Sequence, residues 1–152
     1  MAHIHKLIDF VVNVYIIYKD KVLLIHHRKL DKWLPIGGHV ELDEDPEQAL
    51  FREVKEECGL EIGVLGEKPS IRSEGTKFLY SPIFLDIHKI SDVHKHIGLY
   101  YFVKAKTDKV ILNKKEHKKI RWLSEEELDD PKLDLDKAVK FYAKEAFKKS
   151  KG

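Results

Sequence analysis

Apolar residues in this chain fall into two kinds of run: short continuous or alternating stretches, and two segments of helical period. Residues 7–18 (LIDFVVNVYIIY) are rich in β-branched and aromatic types and predict a buried strand. A polar turn at Lys19-Asp20-Lys21 leads to 22–26, the antiparallel partner in a hairpin. A charged loop over 28–32 precedes Trp33-Leu34-Pro35 and a Gly37-Gly38 pair, and 39–41 predicts a short strand. Further strands are expected at 61–64 on a sheet edge, at 78–88 with an interruption at Pro82, at 97–106 pairing with it, and at 120–123. The stretch 66–77 reads as an irregular loop, 89–96 as a polar connection and 114–119 (KKEHKK) as a solvated charge run.

The first helical segment spans about 46–58. Asp45 is a good N-cap, Pro46 suits the first helical position, Gln48 completes a capping-box spacing and Gly59 supplies the stop. Ala49, Leu50 and Val54 can pack this helix onto a sheet. Ser124 caps a brief helix over SEEEL. From Pro131 onward an amphipathic helix places Val139, Tyr142, Ala143, Ala146 and Phe147 on one face and lysines on the other. We read it as a terminal helix packed on the sheet rather than a membrane- or RNA-binding one.

Glu53, Glu56 and Glu57 sit at i, i+3 and i+4, so like charges crowd one helix face. A packing stripe does not explain them. A hard divalent cation does, because Mg²⁺ or Mn²⁺ prefers carboxylate oxygens and leaves room for phosphates. The glycine pair just upstream permits close backbone approach to a ligand.

The segment from Gly38 to Leu60 (GHVELDEDPEQALFREVKEECGL) resembles the Nudix box at every fixed position: Gly38, Glu44, Arg52, Glu53, Val54, Glu56, Glu57, Gly59 and Leu60. KVLLIHHR, WLPIGG and the late IRWLSEEEL are looser matches. The resemblance implies an α/β/α sandwich with a mixed central β-sheet over most of residues 7–147, and at 152 residues the chain reads as a single domain, 1–152. It implies a pyrophosphohydrolase that splits the diphosphate linkage of a nucleoside diphosphate derivative with Mg²⁺ or Mn²⁺. Glu53, Glu56 and Glu57 are then metal ligands, with Gly38 contributing through its carbonyl oxygen. Bound divalent ions neutralise the phosphate oxygens and activate a water. Arg52 is expected to hold the carboxylates ionised and oriented through forked hydrogen bonds, with Glu44 supporting it. For the general base the resemblance offers Glu53, with Glu116 as an outside candidate and accessory ligand and Glu74 as a weaker one.

Composition narrows the picture. Apolar residues make up 43% of the 152 and charged residues 36%, ordinary for a globular protein. A formal charge of +2 does not argue for nucleic acid. The lysines at 114–119 and 140–151 are the only hint of an RNA-end substrate. Cys58, the single cysteine, excludes an internal disulfide and reads as a buried filler. No apolar run approaches a membrane span, and 1–6 does not open a signal peptide, which gives a cytoplasmic reading. His94 and His96 lie two apart, but the sequence positions no third ligand beside them, so surface or substrate contact is preferred to zinc. His26 and His27 would face opposite sides. His39 follows the glycines and could approach the phosphates.

The expected partner is a small nucleotide, with a homodimer allowed by the resemblance. Gly75 and Thr76 stand where ADP-ribose hydrolases carry a proline. Thr76, Lys77 and Phe78 stand where dinucleoside polyphosphate hydrolases carry a tyrosine, and Tyr80 misses by two. (Deoxy)nucleoside triphosphates are therefore favoured over ADP-ribose, nucleotide sugars, dinucleoside polyphosphates or a non-catalytic nucleotide sensor. Trp33, Phe78, Tyr80, Tyr100 and Tyr101 are the aromatic candidates for base stacking, most of them expected in the core.

Overall fold

The computed structural model describes residues 3–152; Met1 and Ala2, part of the segment read as no signal peptide, lie outside it. Its central strand is β1 (Ile8–Tyr18), apolar on both sides as the continuous run demands. Val12, Val14 and Ile16 are buried on one face, Tyr15 and Ile17 on the other. β2 (Lys21–His27) pairs with it antiparallel through the expected hairpin, with Ile17 opposite Val22. β3 (Lys32–Leu34) pairs antiparallel with the second half of β2, and β4 (Ile36–His39) pairs antiparallel with the first half of β1. Helix α1 (Pro46–Glu57) follows, then β5 (Ile62–Val64), β6 (Phe84–Lys89) and β7 (Lys95–Ala105). β7 lies parallel to β1 from Ile8–Lys95 to Ile17–Lys104 and is flanked by β5 and β6. β8 (His117–Ser124) returns to pair with β2, and α2 (Lys137–Lys151) ends the chain. The described residues thus form an eight-stranded mixed sheet.

A helix covers each face. Ala49, Leu50 and Val54 of α1 pack with Val12, Val14, Ile16, Tyr101 and Val103. Val139, Tyr142, Ala143, Ala146 and Phe147 of α2, the five read from the sequence, pack with Tyr15, Ile17, Leu24, Tyr100 and Phe102. This is the α/β/α sandwich. Cys58 is fully buried among the α1-side residues, and burial pushes its thiol up to about 11, so it is an inert filler. Among the described residues no helix is long and apolar enough to cross a membrane.

Several boundaries differ from expectation. The strand predicted at 78–88 starts only at Phe84; Pro82 has no N–H to give, and pairing resumes when the Ile83 N–H donates to Tyr100 O at 2.8 Å. The strand predicted at 39–41 is instead Ile36–His39 and contains both glycines. The 28–32 loop gives its last residue to β3 after Asp31 turns the chain at φ 52°. The SEEEL segment is a single 3₁₀ turn, Glu126–Asp129, and Ser124 does close its start: Glu127 N–H donates to Ser124 Oγ at 3.2 Å and Ser124 N–H to Glu127 Oε1 at 2.9 Å. The last helix begins at Lys137, six residues after Pro131, where the Asp136 carboxylate caps Ala138 N–H.

Candidate active site

Helix α1 starts where its signals put it. The Asp45 carboxylate accepts from Gln48 N–H at 2.8 Å and the Gln48 side chain accepts from Asp45 N–H at 2.9 Å, the reciprocal capping box. Gly59, at φ 70°, turns the chain out of the helix. Between these ends the three crowded glutamates are not equivalent. Glu53 and Glu57 are buried, at 4% and 3% exposure, whereas the Glu56 side chain is 58% exposed.

The buried pair faces β4. A Cβ on Gly38 would overlap the Glu53 carboxylate, and Gly37 N–H donates to the Glu57 carboxylate. Close approach, rather than unusual dihedrals, is what the glycine pair provides, since neither has positive φ. Burial pushes Glu53 up to about 9, helped by its hydrogen bond to Glu57, and burial pushes Glu57 up to about 8. Two buried carboxylates sharing a proton are short of positive charge.

Arg52 supplies part of it. Its Nε and Nη2 fork onto the two Glu44 oxygens at 3.0 and 2.6 Å. Nη1 donates to Glu53 at 2.8 Å and to Glu56 at 3.3 Å, and Nη2 also donates to the His39 carbonyl at 3.0 Å. The fork holds Glu44 below the usual carboxylate range, and Glu44 in turn raises Arg52 further. One guanidinium therefore ties the loop, the helix and β4 together.

On its other side Glu57 meets β8. His117 Nε2 lies 3.2 Å from Glu57 Oε2, and Glu116 Oε2 lies 4.0 Å from the same ring nitrogen. Donor atoms of Glu57, Glu116 and His117 gather within 4.8 Å. Glu116 thus stands beside the acidic pair; Glu74 sits in an exposed turn bridged by Ser73 and Thr76. The 114–119 stretch is not simply a solvated run, because His117 is only 1% exposed and 117–119 belong to β8. Strand alternation would place His117 outward with Lys119. A register shift between His26 and His27, which pair with Lys119 and His117, turns it inward. That irregularity leaves no mark in the local sequence.

The donor set fits a divalent cation. Buried, mutually repelling carboxylate oxygens with one shared guanidinium suit a hard ion, and Glu56 and Glu116 stand at the solvent side to complete a shell. His39 does not face this site with its ring; only its carbonyl reaches Arg52. Tyr100 and Tyr101 are core residues, and Tyr80 is packed against the α1-side core with Lys68 Nζ 4.4 Å from its ring centre. Half-exposed Phe10, absent from the aromatic candidates, instead lines a cavity of about 300 Å³ with His5, Val40, Glu41, Leu42, Pro46 and Leu99. It adjoins the segment that joins β4 to α1.

A mixed sheet between two helices, with an acidic helix clamped by arginine against a glycine-bearing strand, defines a class of metal-assisted hydrolases. Residues 9–144 match the NUDIX domain, and the chain belongs to that family; it is a Nudix hydrolase. Such enzymes are generally divalent-metal dependent and act on small nucleotide-derived substrates. The crystal structure of a NUDIX-family hydrolase from Clostridium perfringens is 33% identical, with a TM-score of 0.79, covering 92% of this chain and 96% of that one. A MutT NUDIX hydrolase from Burkholderia pseudomallei is 18% identical (TM-score 0.67, 90% and 96% covered). An ADP-ribose pyrophosphatase from Streptococcus suis is 19% identical (TM-score 0.61, 95% and 92% covered), and at these identities both share the fold. Comparison with curated proteins gives no match.

Proposed function

We propose that this chain hydrolyses the diphosphate linkage of a nucleoside di- or triphosphate derivative, with (deoxy)nucleoside triphosphates favoured and Mg²⁺ as the resident ion. The observation that carries the reading is the buried Glu53–Glu57 pair held against Gly37 and Gly38 with Arg52 across its flank. Glu53, Glu56, Glu57 and the Gly38 carbonyl hold the metal. A bound divalent ion neutralises the diphosphate and lowers the pKa of a coordinated water.

The chain's own residues do the rest. Arg52 aims Glu53 and opposes, without overcoming, the burial that disfavours its charge, and Glu44 fixes Arg52 by the two-point fork. Glu53, with Glu116 as accessory, accepts the proton of the attacking water. His117 Nε2 positions the Glu57 carboxylate. The Phe10 cavity, apolar apart from His5 and Glu41, is a seat for the base, with the half-exposed Phe10 ring to stack on. The whole of 1–152 works as one cytoplasmic domain.

A phosphate-release screen tests this. Nucleoside triphosphates, ADP-ribose, nucleotide sugars and dinucleoside polyphosphates are assayed with Mg²⁺ or Mn²⁺ beside Glu57→Gln. Cleavage of triphosphates that the variant abolishes is expected. Preference for ADP-ribose or a dinucleotide would replace the substrate assignment, and silence in a folded, metal-binding protein would sink the catalytic one.

A further inference from the structure

A second polar cluster lies on the sheet face opposite α1, and none of its side chains takes part in the hydrolytic site. Strand alternation points Asp9 to the same face as Tyr15 and Ile17, the face covered by α2. Val11 pairs with His39 and Asp9 with His96, so those two rings rise on the same side. His94 enters just before β7, and His3 comes from the N-terminal segment. Three ring nitrogens converge on one oxygen. His39 Nε2 is 3.2 Å from Asp9 Oδ2, His94 Nε2 3.3 Å and His3 Nδ1 3.6 Å. Donor atoms of His3, Asp9, His39 and His96 all lie within 4.8 Å of one another.

His94 shows why this arrangement calls for a cation. Its Nδ1 lies 2.9 Å from the Lys6 carbonyl, an acceptor, so Nδ1 carries the hydrogen. In the neutral ring Nε2 is then a bare lone pair facing a carboxylate oxygen. The side chain is 2% exposed and this nitrogen makes no hydrogen bond. Burial opposes the charge on Asp9, yet the N–H groups of His5 and Ile4, at 2.6 and 3.0 Å, hold it below the usual carboxylate range. Burial also keeps His39 and His96 below the usual imidazole range, His96 at about 4. Neutral imidazoles around a carboxylate are the form in which these groups bind metal.

We propose that Asp9, His3, His39 and His96 form a binding site for a divalent transition-metal ion of the zinc type, with His94 aimed at the same carboxylate. Nitrogen donors with one carboxylate suit Zn²⁺ and disfavour Mg²⁺, the reverse of the α1 face. Ligands about 2.0–2.1 Å from a tetrahedral ion stand roughly 3.3 Å apart, and the approaches to Asp9 Oδ2 already have that spacing. His88 is outside the set, its Nδ1 lying 2.8 Å from Asp86, whose other oxygen accepts the Tyr142 hydroxyl at 2.7 Å. The ion ties the N-terminal segment to β1, β4 and β7. It also fixes His39, whose carbonyl receives Arg52 on the far side of the sheet.

The test is a calorimetric titration of Zn²⁺ into the chelator-stripped full chain with Mg²⁺ in excess, paralleled by Co²⁺ and its visible absorption. One Zn²⁺ per chain is expected, retained in a Glu57→Gln/His117→Gln double variant that removes the other nitrogen-bearing cluster. Asp9→Asn should abolish it and His3→Gln should weaken it about tenfold or more. The Co²⁺ band should follow the same order. His3 is half exposed on the terminal segment, so His3→Gln decides the matter even where Asp9→Asn does not fold. Absence of Zn²⁺ binding in the wild type, or Zn²⁺ lost with Glu57 and His117 but indifferent to His3, overturns the proposal.

Discussion

On the α1 face of the sheet the buried polar groups are two carboxylates short of positive charge with one imidazole, His117, beside them; on the α2 face they are imidazoles gathered about one carboxylate. The first cluster is built mostly within one helix, from residues four apart, and is braced by a single arginine. The second draws on four separate parts of the chain. The difference lies in what each face is for. The α1 face opens beside a cavity of about 300 Å³, so its buried carboxylates can meet a metal ion and a substrate there. The α2 face is closed by a helix whose apolar residues are buried against Tyr15 and Phe102, and its work is cohesion.

Phe147→Ala should show that most strongly. Phe147 is 2% exposed in the α2-side core, so truncation should cost about 3–5 kcal/mol of stability. Turnover per folded molecule should stay unchanged, because no α2 residue reaches the acidic site. Denaturant unfolding beside steady-state kinetics measures both. A large fall in kcat at full occupancy of the folded state would break the division between the faces.

Glu57→Gln should do the opposite. Losing a charged group aimed at the reacting centre should lower kcat roughly 10²–10³-fold. Stability of the metal-free protein at neutral pH should rise. Glu57 has a folded pKa raised to about 8, so its ionised form is disfavoured by folding, and stability is lost as pH climbs above the unfolded carboxylate value. The neutral amide removes that penalty. Thermal melts between acid and neutral pH give the sign.

Arg52→Lys comes next. A lysine ammonium cannot fork onto Glu44 while also holding Glu53 and the His39 carbonyl. Activity or Mg²⁺ affinity should fall about 10–100-fold, as for loss of a group that orients metal ligands. Equal activity in the lysine variant would mean charge alone suffices.

How far these two faces could be read from sequence follows from how local each one is. The capping box, the Gly59 stop and the i, i+4 glutamates are written within fifteen residues, and the helix appears at that place. The five apolar residues of α2 followed from period alone. His117 was invisible because a register shift reversed its alternation. The imidazole cluster was discounted for want of a third ligand near His94 and His96. That ligand arrives through parallel pairing of β1 with β7, which sets Asp9 beside His96 across almost ninety positions of sequence. Phe10 was overlooked because it sits in a run most of whose members are core, and the run itself does not mark the cavity that Phe10 lines.

The smallest expected effect concerns how the acidic site is held rather than what it does. Glu44 has its carboxyl depressed by the Arg52 fork, against burial, with help from the Glu41 N–H. A lowered folded pKa contributes stability above the unfolded value of about 4.3, and the contribution is lost as pH falls through the folded value. Glu44→Gln removes that proton linkage. It should cost about 1 kcal/mol at neutral pH, the scale of one charged hydrogen bond less the amide's replacement, and the gap from wild type should close in acid. No change of α2-face packing has this signature, since its apolar contacts bind no proton. A Glu44→Gln deficit that persisted unchanged into acid would place the residue's role in loop shape instead of in the charge of the fork.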